Sequence, residues 1–207
     1  MLAESALIDC DYYSYNIIRK IHGETIYANN YVHSSVRAYL NGSKYWIKPA
    51  ENVDMYVDGG YFKVGFLQTA FTEEEQNLIL TTEVKNDLRS LYADDATKIK
   101  ESVFASDYTT SDKIFLLSRQ EITRKEYGFS SKYNSACIRF PSDFAAFRGV
   151  VISYREDKQG TFWWLRSPVP KEDVNQVNQY LVFVDSPGGF STIGISHLGV
   201  VPALCID

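Results

Sequence analysis

The chain has 207 residues, enough for one large domain that buries about 70% of the surface its unfolded form exposes. Its apolar and charged contents, 45% and 23%, are ordinary for a globular protein, and its net charge of −5 lacks the basic field typical of nucleic-acid binding. No run approaches the roughly 18 apolar residues of a membrane span, and the first residues do not resemble a signal peptide. We therefore predict a single domain over residues 1–207, without nucleic-acid partners or membrane insertion. It is either intracellular or part of a longer secreted protein.

The first helix is predicted to begin after Ser34, whose hydroxyl is a good N-cap. Apolar side chains at helical spacing follow within residues 36–40, and Gly42 is typical of a left-handed helix end. Arg37 on this helix either contacts a ligand or pairs with an acid. The pair is favoured, because a partly buried arginine needs a partner. Residues 43–66 are consistent with a hairpin or a long ordered loop.

Thr72 and Glu75 form a capping-box pattern that predicts the start of a second helix. The apolar residues that follow, Leu78, Ile79 and Leu80, are expected to supply its buried side. This helix and the first one lie in the N-terminal part of the chain.

A continuous apolar run at residues 114–117 is typical of a strand that is buried on both faces. Ser118 and Glu121 repeat the capping-box pattern and predict a third helix immediately after it. Residues 142–147 predict a short fourth helix that ends at Gly149.

After Gly149 the pattern becomes strand-like, with short β-branched and aromatic runs separated by turn signals. The predicted strands are residues 150–152, 161–165, 180–184 and 200–206. Because most helices precede these strands, the sequence favours an α+β fold with a largely antiparallel sheet. The polar and Gly/Ser-rich stretches 168–179 and 186–197 are predicted to be loops.

Catalytic and metal-binding motifs are absent from the sequence. It contains no phosphate-binding glycine loop and no Gly-x-Ser-x-Gly nucleophile elbow. The histidines and cysteines are too widely spaced for a local metal site or a disulfide framework. They are His22, His33, His197, Cys10, Cys137 and Cys205. We predict no catalytic residue, no metal and no cofactor. A dispersed site that joins Cys137 to His33 or His197 stays open as an enzymatic alternative.

Two adjacent tryptophans, Trp163 and Trp164, must point to opposite faces of a strand. One is expected in the core, and the other faces a second layer or a binding surface. Arg166 lies on the same face as Trp164, where it either forms part of a ligand platform or pairs with Glu121 or Glu75. The ion pair is favoured, since it would offset the desolvation of the guanidinium and lock a helix to the sheet.

Five segments, in this order, resemble the motifs of an uncharacterised bacterial family that is catalogued as a domain of unknown function. They are residues 30–41, 65–75, 113–121, 163–167 (W-W-L-R-S) and 199–204. The resemblance covers roughly residues 29–206 of the chain. It implies an extracellular or cell-surface location, because such domains often end surface proteins.

That family is in turn distantly similar to the C-type lectin-like fold, in the branch of the formylglycine-generating enzymes and phage variable proteins. The resemblance implies a twisted, mostly antiparallel sheet with two or more flanking helices and long loops, in which residues 2–10 pair with the C-terminal strand. Val201 departs from the family pattern, which closes with an arginine before the proline. The enzymes need a pair of metal-binding cysteines, for which Cys137 and Cys205 are the only candidates, and Cys205 lies in a core-like strand. No calcium-binding lectin motif is present, so neither chemistry carries over.

The sequence therefore predicts a non-catalytic recognition or adhesion domain that binds a glycan or protein ligand through the loops between residues 167 and 199. The predicted ligand-binding residues are Trp164, Arg166, Asn175, Asn178 and Tyr180. Two alternatives are a structural or assembly module of a surface or phage protein, and the dispersed Cys/His enzyme.

Overall fold

The computed structural model describes twelve stretches of the chain. They are residues 1–10, 19–21, 24–26, 30–32, 34–42, 65–87, 109–129, 135–155, 158–168, 180–185, 189–194 and 198–207. Its α-helices are α1 (Ser35–Asn41), α2 (Phe66–Ala70), α3 (Glu73–Leu78) and α4 (Asp143–Phe147). Three 3-10 turns span Glu121–Thr123, Lys125–Tyr127 and Ser135–Cys137. Most of the predicted hairpin or loop at residues 43–66 lies outside the described residues.

The described strands are short, from two to six residues each. They are β1 (Ser5–Ala6), β2 (Ile8–Cys10), β3 (Arg19–Ile21), β4 (Glu24–Ile26), β5 (Ile79–Leu80), β6 (Thr82–Val84), β7 (Thr110–Asp112), β8 (Ile114–Phe115), β9 (Phe140–Pro141), β10 (Ile152–Arg155), β11 (Lys158–Thr161), β12 (Trp163–Pro168), β13 (Tyr180–Asp185), β14 (Gly189–Gly194), β15 (Leu198–Val200) and β16 (Ala203–Ile206).

The described residues form six sheets, of which four are two-stranded (β1-β9, β3-β4, β6-β7 and β10-β11) and two are larger. The larger has the order β14-β13-β12-β15-β2, in which only β12 and β15 run parallel. The smaller has the order β5-β16-β8 and is antiparallel throughout. The C-terminal segment connects them, because β15 belongs to the first sheet and β16 to the second. The described structure is thus α+β with mostly antiparallel pairing, as the sequence predicted.

The N-terminal residues run along the C-terminal segment, which confirms their predicted pairing. Strand β2 is antiparallel to β15, with Ile8 opposite Val200, and Leu2 forms an isolated bridge to Ala203. The N-terminal residues therefore contact both C-terminal strands, β15 through β2 and β16 through the bridge at Leu2.

Both tryptophans of β12 are fully buried, so both faces of this strand are covered by other parts of the chain. The indole Nε1 of Trp163 donates a hydrogen bond of 3.0 Å to the carbonyl of Cys137. Trp163 also pairs with Gly199 of β15. The W-W-L-R-S segment and the C-terminal strands therefore belong to one core, as predicted.

Helix α1 has the predicted N-cap, since the Ser34 hydroxyl accepts a hydrogen bond from the backbone N–H of Arg37. Its end differs from the prediction. Gly42 has φ +101° and ψ 165°, which is not the left-handed helical conformation but is also readily adopted only by glycine. Arg37 pairs with the buried Asp112 at 2.8 Å, which confirms the favoured ion pair. The Asn41 side chain donates to the carbonyl of Ile114 at 2.7 Å and so ties the helix to β8.

The second predicted helix was correct at its start and wrong at its end. Thr72 and Glu75 form the capping box, with both reciprocal hydrogen bonds present. The helix then ends at Leu78, which is 64% exposed, and Ile79 begins a strand that pairs with β16. Of the three apolar residues expected on its buried side, only Ile79 is buried. The reason is that Ile79 and Leu80 pair with β16 as a strand, so their side chains no longer follow the helical spacing.

Two further predictions needed correction in their local structure. Residues 114–117 are all buried, but only Ile114–Phe115 form a strand. The capping box of Ser118 and Glu121 is present, yet it begins a 3-10 turn instead of an α-helix. The helix predicted at residues 142–147 is present, with Ser142 as its N-cap.

The part of the predicted loop 186–197 that the structure describes is a strand. Residues 189–194 form β14, which pairs with β13 along its whole length, from Tyr180 opposite Gly194 to Asp185 opposite Gly189. Residues 158–160 lie between the predicted strands 150–152 and 161–165, where the sequence showed turn signals, but they belong to β11. Glycine and serine disfavour strands locally, but the cross-strand hydrogen bonds to a neighbouring strand outweigh that preference here.

Candidate functional site

A cavity of about 590 Å³ lies against the smaller sheet, between β6, β8, β16 and the two 3-10 turns of residues 121–127. This volume is within the range of pockets that hold small molecules. Three successive residues of β16, Ala203, Leu204 and Cys205, line this cavity. The central strand of the smaller sheet therefore forms one wall.

The inner part of the cavity is apolar. Val84, Phe115, Leu117 and Phe129 line it and are each between 3% and 8% exposed. These residues come from three separate stretches of the chain, and the hydrophobic core holds them in place. The interior is therefore preformed by packing and offers apolar contact surface.

A buried ion pair forms another part of the wall. Both terminal nitrogens of Arg166 donate to the carboxylate of Glu121, with 2.9 Å between Nη2 and Oε1. Arg166 also donates to the carbonyl of Leu116 at 2.8 Å. The side chains are 2% and 18% exposed. This pair confirms the interpretation of Arg166 that the sequence favoured, and its partner is Glu121, while Glu75 lies exposed in its capping box.

The environment of Glu121 keeps its carboxylate ionised. Burial by itself would raise the pKa of Glu121, but the attraction and hydrogen bonds of Arg166 outweigh it. Together with hydrogen bonds from Ser118, they lower the pKa below its ordinary value. The two opposite charges thus neutralise each other. Both terminal nitrogens of Arg166 are already bonded to Glu121 within the cavity wall.

The mouth of the cavity carries exposed charged groups and one aromatic ring. Glu83 and Lys85 are exposed, and Tyr127 is 52% exposed. The guanidinium of Arg124 lies 5.6 Å from the centroid of the Tyr127 ring. Its Nη2 donates to the Gln120 side-chain oxygen at 3.2 Å. These two contacts favour one orientation of Arg124 at the mouth, although its side chain is 38% exposed.

The structure places the predicted ligand-binding residues in different surroundings. Trp164 is fully buried and Arg166 almost so, although Arg166 lines the cavity. Tyr180 begins β13, where its backbone pairs with Gly194. Asn175 and Asn178 lie outside the described residues.

The sequence reasoning missed Arg124 and Tyr127. Their only sequence signal is the three-residue spacing that follows a capping box, which is common on any polar surface. They acquire a common role because two successive 3-10 turns bring them to the mouth of the cavity. Gln120 and Lys85 were also missed, because nothing in the local sequence distinguishes them from ordinary polar surface residues.

The thiol of Cys137 is 1% exposed, and burial raises its pKa to about 11 against the opposing effect of Arg139. A thiol with so high a pKa is a poor nucleophile at neutral pH. His33 and His197, its proposed partners, lie outside the described residues. Within the described stretches, no group of three or more His, Cys, Asp or Glu side chains is arranged to hold a metal ion. None of the described helices has the length and apolar character needed to cross a membrane.

The fold and the cavity define an α+β domain with a preformed small-molecule-sized site. Residues 4–207 match the model of the family described as Domain of unknown function (DUF6273), and the chain belongs to that family. This confirms the resemblance to an uncharacterised domain family. No curated protein and no solved structure matches the chain.

Proposed function

We propose that this chain is a non-catalytic recognition domain and that the cavity beside the smaller sheet is its ligand site. The observation that carries the proposal is the cavity itself, about 590 Å³ with a buried apolar interior and a charged mouth. Pockets of this size and composition are the usual binding sites of small ligands or of protruding groups of larger ones. The ligand is a glycan, a protein segment or a small molecule that inserts a group into the cavity.

The chemistry of the wall supports recognition over catalysis. A general base is most effective when its pKa lies near the working pH. The pKa of Glu121 is lowered, and its oxygens accept hydrogen bonds from Arg166 and from the backbone N–H of Ser118. A carboxylate held in this way shapes and rigidifies a site, but it has little tendency to take up a proton.

The pairing of residues 2–10 with the C-terminal segment agrees with the expected relation to the C-type lectin-like fold. A bacterial cell-surface location is part of the same proposal and is supported by the family resemblance.

The proposal is tested by blocking the cavity. Thr82 lines it and is half-buried, so Thr82→Trp places a large ring inside. Thr81 is exposed and lies outside the cavity wall, so Thr81→Trp is the matched control. A library of glycans, peptides and small molecules is screened by thermal shift and ligand-detected NMR. Ligands should bind the wild type and the control but not Thr82→Trp. Hits that bind all three equally, or a library without hits, would count against the cavity as the ligand site.

A second candidate, an assembly module, is favoured by a cluster of exposed apolar side chains around α4. Phe140 is 53% exposed, Phe144 41% and Phe147 84%. Phe144 and Phe147 share one face of the helix, since they are three residues apart. Sedimentation velocity distinguishes this candidate. Self-association of the wild type that is lost in Phe144→Ser/Phe147→Ser supports it, and a wild type that is monomeric at all concentrations rejects it.

A further inference from the structure

We propose that the cavity binds a small amphipathic carboxylate, with its apolar body inside and its carboxylate on Arg124 at the mouth. This inference rests on the proposed function, since it assigns a ligand class to the same cavity. It depends on the polarity of the lining, on the balance of charge and on the geometry of Arg124.

The polarity of the lining changes from the inside to the mouth. Phe115, Leu117 and Phe129 are buried and apolar, whereas Lys85 is exposed and Tyr127 half-exposed. A ligand that fills the cavity must therefore be apolar at one end and polar at the other. Each methylene that enters the apolar part should strengthen binding about fourfold.

The balance of charge leaves selection of the head to individual side chains. Five charged side chains line the cavity in the described part of the chain. Arg166 and Glu121 neutralise each other in the wall. The remaining three are Arg124, Lys85 and Glu83, and Glu126, which lies 4.0 Å from Arg124 outside the lining, offsets their excess positive charge. An anionic head is therefore bound by direct pairing with Arg124 and not by a net positive field.

The geometry of Arg124 selects a planar monoanion. The guanidinium lies 5.6 Å from the centre of the Tyr127 ring and donates to Gln120, and both contacts favour one orientation before a ligand arrives. Its planar fork matches the two oxygens of a carboxylate. Glu126 lies 4.0 Å from its Nε, and Glu83 also lies at the mouth. Two nearby acids disfavour a doubly charged head such as a phosphate monoester more than a single carboxylate.

The experiment compares four probes by calorimetry: octanoate, hexanoate, octan-1-ol and octyl phosphate. The proteins are the wild type, Arg124→Gln and Lys125→Gln. Lys125 is an exposed neighbour outside the cavity wall, so it controls for the change in net charge. On the wild type, octanoate should bind about 15-fold more tightly than hexanoate, because two methylenes are added. It should also bind at least tenfold more tightly than octan-1-ol or octyl phosphate, since the charged, planar pairing is worth a comparable factor.

The variants and a thiol probe locate the head and the body. Arg124→Gln should reduce the affinity for octanoate to that for octan-1-ol, and Lys125→Gln should leave it within about twofold. Arg124→Lys keeps the positive charge but lacks the planar fork. Its affinity for octanoate should therefore lie between those of the wild type and Arg124→Gln. Octanoate should also slow the alkylation of Cys205, which lines the cavity, as followed by peptide mass spectrometry.

The outcomes separate this inference from the proposed function. If octan-1-ol or octyl phosphate binds as tightly as octanoate, or if Arg124→Gln binds octanoate as the wild type does, the carboxylate assignment is overturned while the cavity remains a ligand site. If no probe binds and no library ligand distinguishes Thr82→Trp from Thr81→Trp, the proposed function itself fails.

Discussion

The contribution of the buried ion pair between Arg166 and Glu121 to the free energy of unfolding can be tested quantitatively. Glu121→Gln keeps the shape of the side chain but removes its charge, leaving the guanidinium of Arg166 buried at 2% exposure without a counterion. Two charge-assisted hydrogen bonds from Arg166 to the carboxylate are weakened or lost. Removing one partner of a buried pair typically costs about 3–5 kcal/mol of unfolding free energy. Since domains of this kind are stable by only about 5–15 kcal/mol, the effect should be large.

The measurement is urea unfolding followed by tryptophan fluorescence, since Trp163 and Trp164 are buried in the same strand as Arg166. Glu126→Gln is the matched control. Glu126 is 64% exposed and lies 4.0 Å from Arg124, so its loss should cost less than about 0.5 kcal/mol. A cost below about 1 kcal/mol for Glu121→Gln would refute the reasoning, because the pair would then contribute no more than a surface contact.

The same pair predicts the direction of the pH dependence. Because the pKa of Glu121 is lower in the folded state, its contribution is fully present above the unfolded-state pKa of about 4.3. It is lost as the pH falls below that value and through the folded-state pKa. Wild-type stability should therefore fall more steeply below about pH 4 than that of Glu121→Gln. Parallel pH profiles of the two proteins would contradict this assignment.

Three further predictions concern packing, capping and thiol chemistry. In Gly199→Ala the new Cβ would lie 2.8 Å from the Ala6 methyl and 3.0 Å from the Phe162 carbonyl oxygen, so we expect a loss of about 1–3 kcal/mol in urea unfolding. An unchanged midpoint would show that β15 can shift. Thr72→Ala removes an exposed capping box and should lower the free energy of unfolding by about 1 kcal/mol in the same assay. An unchanged free energy of unfolding would show that the capping box does not stabilise the helix. Cys137, with a pKa of about 11, should be alkylated roughly 200-fold or more slowly at pH 8 than an ordinary thiol, and its rate should rise about tenfold per pH unit up to pH 10. A rate that does not depend on pH would contradict the raised pKa.

The sequence by itself determined the features that depend on neighbouring residues. Ser34 caps α1, and Thr72 and Glu75 form their capping box, because the hydrogen bonds involved join groups only three residues apart. The opposite orientation of Trp163 and Trp164 also follows from the period of a strand alone. In each case a short stretch of chain contains all the interacting atoms.

Only the tertiary structure decided the features that join distant residues. Glycine- and serine-rich residues 189–194 become β14 because β13 supplies their hydrogen bonds, and Ile79 leaves its helix because β16 pairs with it. The choice of Glu121 as the partner of Arg166 connects residues 45 apart in the chain. The cavity has the same origin, since its walls come from five separate parts of the chain, residues 1–2, 82–85, 115–129, 166 and 203–205, whose packing no local pattern encodes.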